Sequence, residues 1–166
     1  MSVMFSGPVV CDAGPIIGLG RVGLESLPFD LFPRVLVPEE VERELLGEDS
    51  PDADRIGRAL SKGEIVSLEE EADPFLSAEL DPGEAAVIAV AMERGISGVV
   101  IDDRKGRRVA STVYGLRVKG AAGLLVEAKR RGLVGQVGPL LEGMKEGGYF
   151  LSPGIMDACL RAAGEL

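Results

Sequence analysis

The chain has 166 residues and a formal charge of −9, with no histidine, no tryptophan and two cysteines. This length suits about one domain, and the apolar and charged fractions of 46% and 27% are typical of a folded globular protein. The absence of histidine excludes a Ser-His-Asp triad, a Cys-His pair and any histidine-ligated zinc. Hydrolytic chemistry must therefore use carboxylates, lysine, serine, tyrosine or a metal held by oxygen ligands.

The first ten residues, MSVMFSGPVV, lack a basic region, and no apolar run reaches about 18 residues. Neither a signal peptide nor a membrane span is predicted, so we expect a cytoplasmic protein. Two cysteines are also too few for a zinc site or a disulfide framework.

Short runs rich in valine and isoleucine alternate with helical patterns along most of the chain. The apolar runs predict five strands, at Pro8–Asp12, Arg34–Val37, Glu64–Leu68, Gly98–Asp102 and Leu116–Lys119. The intervening patterns predict helices in part of Pro15–Phe32 (interrupted near Pro28) and at Glu39–Leu46, Asp52–Ser61, Gly83–Arg94, Arg104–Tyr114 and Ala121–Arg131. This alternation predicts an α/β fold, with a parallel sheet covered by helices on both faces.

The last part of the chain has a different pattern. Gly135–Glu146 and Pro153–Ala163 are predicted to be two further helices with no strand between them. We therefore expect residues 1–166 to form a single domain with a C-terminal helical extension over about 135–166. The acidic segment Glu69–Pro74 is predicted to be a loop.

Acidic residues follow two of the predicted strands. Asp12 comes directly after one apolar run, and the pair Asp102 and Asp103 follows another. Open parallel sheets bind ligands at the carboxyl ends of their strands, so these carboxylates are candidates for a site. Successive strand residues point to opposite faces, so only one of the pair should face a given pocket. Asp103 is equally suited to cap the helix that begins near Arg104.

Two further acids lie on predicted helices. Glu44 lies three residues after Val41, at the edge of an apolar helix face, where it is either a rim glutamate or a ligand for a metal or a basic partner. Glu84 follows Asp81 at the spacing of a capping box. Capping explains that pattern by itself without excluding a second role in a cleft.

These acids together indicate a metal site. Carboxylates packed side by side repel one another, so such a cluster is stable only with a cation in it. Mg²⁺ and Mn²⁺ prefer carboxylate oxygens, keep several waters and can activate one of them against a phosphodiester. The expected metal ligands are Asp12, Glu84 and one of Asp102 and Asp103, with Glu44 completing the catalytic set.

The net charge conceals a strong segregation. Residues 1–93 carry a charge of −14, residues 94–131 carry +7 and residues 132–166 carry −2. Four cations lie on the first turns of the helix that follows the acidic pair, namely Arg104, Lys105, Arg107 and Arg108. We interpret them as a candidate surface for a nucleic-acid backbone; the alternative is a solvated basic helix face.

One glycine pattern points elsewhere. Gly18–Gly23 matches the G-x-G-x-x-G of dinucleotide-binding folds. The first glycine of that motif should follow the strand almost directly, whereas Pro15–Ile17 intervene here. A nucleotide-binding, Rossmann-like protein is therefore the least favoured interpretation.

The order of these features resembles the PIN-domain nucleases, and more closely a prokaryotic PIN-like subfamily. The resemblance spans nearly the whole chain and rests on CDAGPIIGL at 11–19, VPEEVERELL at 37–46, LDPGEAAVIAVA at 80–91, VVIDDRKGRRVA at 99–110 and GYFLSPGIMDACLRAAGE at 148–165. It implies a three-layer α/β/α sandwich with about five strands in the order 3-2-1-4-5. It also implies a phosphodiesterase that uses Mg²⁺ or Mn²⁺ to cleave RNA or single-stranded nucleic acid.

The resemblance also assigns roles and partners. Asp12 matches the first family acid, Glu44 the second, Glu84 the third and Asp103 the fourth, with Asp102 as the alternative. Many members are toxins of toxin–antitoxin pairs, so an antitoxin protein is an expected partner. Charge segregation and an apolar tail further suggest a homodimer.

This chain departs from the family pattern at three points, one of which is Ala13 in place of the small hydroxyl residue that often follows the first acid. The third acid is more often aspartate, and the aromatic residue that often follows the fourth acid is absent. These departures motivate an alternative, in which the protein is a catalytically degenerate PIN-like module that binds nucleic acid or protein as a regulator.

Overall fold

The computed structural model describes residues 6–47 and 50–166. Within these ranges one parallel sheet has the order β3-β2-β1-β4-β5, with β1 at Val9–Cys11, β2 at Val35–Pro38, β3 at Glu64–Val66, β4 at Gly98–Val100 and β5 at Arg117–Lys119. Helices flank the sheet as an α/β/α sandwich. The five predicted strands, their parallel arrangement and the order implied by the resemblance are confirmed. Residues 1–5 belong to the segment from which the absence of a signal peptide was predicted, and they lie outside the described residues.

The helices lie between and after the strands. Their bounds in the described part are α1 Ala13–Gly20, α2 Leu27–Leu31, α3 Glu39–Leu45, α4 Ala53–Leu60, α5 Pro74–Glu79, α6 Pro82–Arg94, α7 Arg104–Arg108, α8 Ala121–Arg130, α9 Val137–Glu146 and α10 Pro153–Ala162. A π-helical turn, Val109–Val113, continues α7. None of the described helices has the length and apolar character needed to cross a membrane.

The central strands β2, β1 and β4 are buried because their residues are apolar on both faces. Val9, Val10 and Cys11 of β1 are inaccessible to solvent, as is Val99 of β4. Helix α6 packs across β1, β2 and β4. The carboxyl ends of the central strands are therefore held by a rigid core, and the residues that follow them share one edge of the sheet.

The first helical region is interrupted earlier than the sequence predicts. Helix α1 ends at Gly20 and α2 begins at Leu27, so the break precedes Pro28. Pro28 lies in the first turn of α2. A proline is tolerated there because the N–H that it lacks has no partner within the helix.

Two other helical segments also differ from prediction. The segment predicted as a loop ends in helix α5, which begins at Pro74 and is capped by Asp73, whose side chain accepts a hydrogen bond of 3.0 Å from the backbone N of Phe75. The predicted helix Arg104–Tyr114 keeps α-helical hydrogen bonding only to Arg108.

The C-terminal helices α9 and α10 pack against α8. The Glu165 carboxylate accepts hydrogen bonds from the backbone N atoms of Val137 (2.7 Å) and Gly138 (2.8 Å), and Lys129 Nζ lies 2.8 Å from the same carboxylate. These contacts tie the end of α10 to the start of α9. The segment between the two helices, residues 147–152, reaches the carboxyl edge of the sheet.

Candidate functional site

Three carboxylates from three separate elements converge on Gly83 at the carboxyl edge of the sheet. A Cβ atom added to Gly83 would lie 3.1 Å from Glu44 Oε2, 3.4 Å from Asp12 Oδ1 and 3.6 Å from Asp81 Oδ1. Asp12 follows β1, Glu44 belongs to α3, and Asp81 is the N-cap of α6. We call Asp12, Glu44 and Asp81 the acidic cluster. Its oxygen atoms can approach one another because residue 83 has no side chain.

Burial and repulsion raise the pKa values of two members of this cluster, Asp12 and Glu44. Burial is the largest cause that raises the pKa of Asp12 to about 7, and the backbone N–H of Ala13 partly opposes it. Repulsion by Asp81, Glu44 and Asp102 adds to the shift. Burial and repulsion by Asp81 likewise raise the pKa of Glu44. A bound cation would favour the charged forms of Asp12 and Glu44 and so oppose both causes.

Glu84 and Asp103 form a neighbouring acidic pair beside Gly106. A Cβ atom at Gly106 would lie 3.5 Å from Glu84 Cδ and 3.7 Å from Asp103 Oδ2. Burial, followed by repulsion from Asp81 and Asp103, raises the pKa of Glu84 to about 8. Asp103 is exposed and caps α7, because its side chain accepts a hydrogen bond of 2.9 Å from the backbone N of Gly106.

Asp102 is held by the C-terminal part of the chain. Its carboxylate accepts a hydrogen bond of 2.8 Å from the backbone N of Ala121 and a second one from the Tyr149 hydroxyl. The Tyr149 ring covers Gly18 of α1, where a Cβ atom would lie only 2.7 Å from the ring. Burial raises the pKa of Asp102, although both hydrogen bonds and the charge of Arg107 oppose the shift. Burial and the Asp102 charge raise the pKa of Tyr149 above its ordinary value, so its hydroxyl remains a donor.

The structure arranges the sequence-predicted acids in neighbouring groups whose charges act on one another. Asp12 and Glu44 meet at Gly83, whereas Glu84 faces Asp103 and Asp102 faces Tyr149. Across residues 6–47 and 50–166, no three His, Cys, Asp or Glu side chains stand in an arrangement that could hold a metal ion. The acidic cluster has the oxygen donors that Mg²⁺ and Mn²⁺ prefer, but these donors do not yet form a coordination sphere.

Sequence reasoning did not assign Asp81 or Tyr149 to the site. Capping accounts fully for Asp81, whose Oδ1 accepts a hydrogen bond of 2.8 Å from the backbone N of Glu84. The glycine two residues after the cap was a signal that another group approaches this turn closely. Tyr149 lies far along the chain from Asp102, and its only signal was the tail segment shared with the PIN-like subfamily.

The four basic residues of α7 have different surroundings. Arg107 Nη1 donates a hydrogen bond of 2.9 Å to the backbone O of Ile101, and Lys105 Nζ lies 3.1 Å from Glu79 Oε2. Arg104 and Arg108 are exposed, and neither forms an ion pair with a residue that the structure describes. These two are the basic side chains of α7 most available to a phosphate backbone.

The glycine pattern Gly18–Gly23 does not form a phosphate-binding loop. Gly18 and Gly20 lie within α1, and the Tyr149 ring covers Gly18. The dinucleotide-binding interpretation is therefore wrong for this segment. Because Gly18 has no side chain, the Tyr149 ring can pack directly against α1.

We predict that the protein loses stability as the pH rises from about 5 to 8 in buffer without divalent ions. With pKa values of about 7 and about 8, folded Asp12 and Glu84 keep protons that the unfolded chain releases above about pH 4. Because the unfolded state binds fewer protons than the folded state in this pH range, the free energy of unfolding falls as the pH rises. Since one pKa unit corresponds to about 1.4 kcal/mol, we expect Asp12 alone to lower the free energy of unfolding by roughly 3 kcal/mol.

Urea denaturation at several pH values measures this dependence. Asp12→Asn should remove much of the slope, because asparagine does not titrate. Asp54→Asn, on the exposed side of α4, should leave the slope unchanged. Equal slopes in the wild type and in Asp12→Asn would contradict the prediction.

We also predict that Tyr149→Phe lowers the free energy of unfolding by about 1.5–3 kcal/mol, because it removes a donor from a half-buried carboxylate. Tyr114→Phe is the matched control. It removes a hydroxyl that donates to Asp73 at the exposed surface, and we expect a loss below about 1 kcal/mol. Thermal or urea denaturation compares the two variants; equal losses would show that the Tyr149 hydroxyl has no special role.

Comparison with known proteins gives one match. A family described as a PIN domain matches residues 8–165, a range that includes the acidic cluster, the basic residues of α7 and Tyr149. No curated protein and no solved structure gave a significant match. PIN domains have a nuclease-type fold and generally depend on divalent metals. Because the match covers almost the entire chain and the sheet has the strand order implied by the resemblance, this chain belongs to the PIN-domain family.

Proposed function

We propose that this protein is a Mg²⁺- or Mn²⁺-dependent ribonuclease that cleaves RNA or single-stranded nucleic acid beside the acidic cluster. The observation that carries the proposal is the convergence of Asp12, Glu44 and Asp81 on Gly83. These carboxylates lie at the carboxyl ends of the strands, where open parallel sheets bind ligands. Repelling carboxylates in this position lower the stability of the fold, and a function at the site explains why they are present.

Asp12 and Glu44, with Asp81 as a further donor, would hold the cation, since their oxygens already face a common space. A bound divalent ion supplies Lewis acidity and lowers the pKa of a bound water. Glu84, whose pKa is raised by burial and by the neighbouring carboxylates, would serve as the general acid. Arg104 and Arg108 would contact backbone phosphates and orient the strand.

The adjacent acids Asp102 and Asp103 have separate roles in this proposal. The charge of Asp102 acts on Asp12, so Asp102 is the better placed of the two to serve the cation at the acidic cluster. Asp103 acts on Glu84 and helps to keep that carboxyl group protonated. Asp103 would therefore contribute to catalysis through Glu84.

The test is cleavage of a set of single-stranded RNAs by the full chain with Mn²⁺, with and without EDTA, beside a calorimetric titration of Mn²⁺. We expect cleavage that requires the metal and stops with EDTA. Cleavage that persists in EDTA would contradict the mechanism.

A catalytically degenerate PIN-like module is the second candidate. It is favoured by the hydrogen bonds that occupy Asp102 and by the lack, among the described residues, of three side chains arranged to hold a metal. Such a module would bind nucleic acid or a protein as a regulator. RNA binding that weakens with salt but never leads to cleavage in Mn²⁺ would favour this function.

We further propose that residues 1–166 act as a single domain with a C-terminal helical extension at about 135–166, and that the chain is a cytoplasmic toxin which pairs with an antitoxin and forms a homodimer. Family membership supports the toxin role, and the segregation of charge along the chain motivates the homodimer. A neighbouring gene for a small partner would support the toxin role. A sedimentation mass of one chain would contradict the dimer.

A further inference from the structure

A cavity of about 350 Å³ opens beside Asp102. It lies between the end of β5, the start of α8, the segment 147–152 and α10, and its lining includes Arg107, Tyr149, Phe150, Leu151, Ile155 and Cys159. Sites for small molecules usually have volumes of this size or larger and combine apolar walls with a few polar groups. Asp102 belongs both to this cavity and to the acidic edge of the sheet.

Phe150 stands out among the lining residues because 84% of its surface is exposed. The residues on either side of it are fixed: the Tyr149 hydroxyl bonds Asp102, and Leu151 is buried. A single exposed apolar residue requires no explanation in general. Here, however, a fixed backbone holds an aromatic ring at the mouth of a cavity that contains a carboxylate of the candidate site.

The chemistry of the cavity suits a planar, partly polar ring. Phe150 and Tyr149 offer aromatic surface, and Arg107 offers a guanidinium group. Positions 120 and 123 are glycine, so two positions of that wall carry no side chain. The wall from Arg107 to Gly123 also belongs to the segment of charge +7, which complements a polyanion. Nucleobases stack on aromatic side chains and arginine planes wherever proteins bind single strands.

We infer that this cavity, here called the base pocket, binds one unpaired nucleobase, stacked on Phe150, of the strand whose backbone lies at the acidic cluster. The inference rests on the proposed function and specifies its substrate class. A base inside a duplex has both faces covered by its neighbours, so only a single strand or a loop can place a base in the pocket. Asp102 then connects base recognition with the cleavage site.

The first experiment uses the absence of tryptophan from the chain. Phe150→Trp introduces one fluorescent reporter at the rim of the pocket. We expect AMP to quench its emission in a saturable manner, because the adenine ring stacks on the indole. Ribose 5-phosphate, which carries a sugar phosphate without a base, should not. Phe75→Trp is the matched control, since Phe75 is a half-exposed phenylalanine of α5 outside the pocket, and AMP should leave its emission unchanged.

The second experiment compares the affinity of wild type, Phe150→Ala and Phe75→Ala for a short single-stranded RNA. We expect Phe150→Ala to weaken binding roughly tenfold or more, the usual effect of losing one base–aromatic stack. The salt dependence should keep its slope, because no phosphate contact is lost. A duplex of equal length should compete poorly. Equal quenching by AMP and ribose 5-phosphate, or equal affinities of Phe150→Ala and wild type, would overturn the inference.

These measurements separate the base pocket from the proposed function. If AMP quenches the Phe150→Trp emission but no RNA is cleaved in Mn²⁺, the base pocket stands and the ribonuclease function fails. If RNA is cleaved and Phe150→Ala binds and cleaves it like the wild type, the function stands and the base pocket fails. If the wild type binds no RNA and AMP has no effect, both are overturned.

Discussion

Replacement of Asp12 by asparagine should abolish detectable Mn²⁺ binding and lower RNA cleavage by at least about 100-fold, with the fold intact. Asparagine has nearly the same shape as aspartate but offers a neutral amide in place of an anionic ligand. Loss of a residue that hydrogen-bonds a metal ligand already lowers the metal affinity by about 10–100-fold. Loss of a direct ligand should therefore lower the metal affinity by at least as much. The variant should also be more stable than wild type at pH 8, because Asp12 is a buried carboxylate with a raised pKa.

Calorimetric titration with Mn²⁺ and single-turnover cleavage of one RNA substrate measure these effects. Asp54→Asn is the control, because it removes the same charge from an exposed position on α4. Both measurements should give wild-type values for this control. An unchanged heat of Mn²⁺ binding in Asp12→Asn would remove Asp12 from the set of metal ligands.

Alanine at position 83 should inactivate the site while leaving the stability within about 1 kcal/mol of wild type. Its Cβ atom would lie 3.1 Å from Glu44 Oε2 and 3.4 Å from Asp12 Oδ1, so the carboxylates must move apart. The methyl group would also occupy the space that they share. A shift of about 1 Å in a catalytic group can lower the rate about 100-fold, and we expect a loss of that size. The stability changes little, because alanine is favoured over glycine in a helix by roughly 0.5–1 kcal/mol.

Gly57→Ala provides the matched control. Gly57 lies in α4, and a Cβ atom there would meet no described atom within 4 Å beyond the backbone of its own helix. This variant should gain about 0.5–1 kcal/mol of stability and cleave RNA at the wild-type rate. RNA cleavage and Mn²⁺ affinity are measured for both variants. They show the effect of one substitution, glycine to alanine, beside the acidic cluster and away from it. Wild-type activity in Gly83→Ala would show that the space beside Gly83 is not used.

The sequence predicted the central strands well because they are buried on both faces. Continuous apolar runs such as Val99–Ile101 are visible without knowledge of their neighbours. The strand order has no such local signal, and it followed from the resemblance. The short helix α5 was missed although Asp73 and Pro74 carry the same cap-and-proline pattern as Asp81 and Pro82, because an acidic run precedes it.

The site could be predicted only in part, for a physical reason. The sequence shows that Asp12 lies at the end of a strand and that Glu44 lies at the edge of a helix face. The distance between them depends on how α3 and α6 pack, which local periodicity does not encode. Asp81 already had a complete explanation as a cap, so its place in the acidic cluster had no separate signal. The contact of Tyr149 with Asp102 joins residues 47 positions apart, far beyond the reach of a local pattern.

The contact of Tyr149 with Asp102 and Gly18 implies an order of events during synthesis on the ribosome. All the acids of the candidate site precede residue 104, so they are synthesised before the ring that holds Asp102. Until Tyr149 is in place, Asp102 has, among the described residues, only the Ala121 backbone N as a hydrogen-bond donor, and Gly18 remains uncovered. Domains generally fold as units once their chain is available. The carboxyl edge of the sheet, with Asp102 held by Tyr149, is therefore completed only late in translation. An N-terminal fragment that carries every acid of the candidate site would still lack this contact.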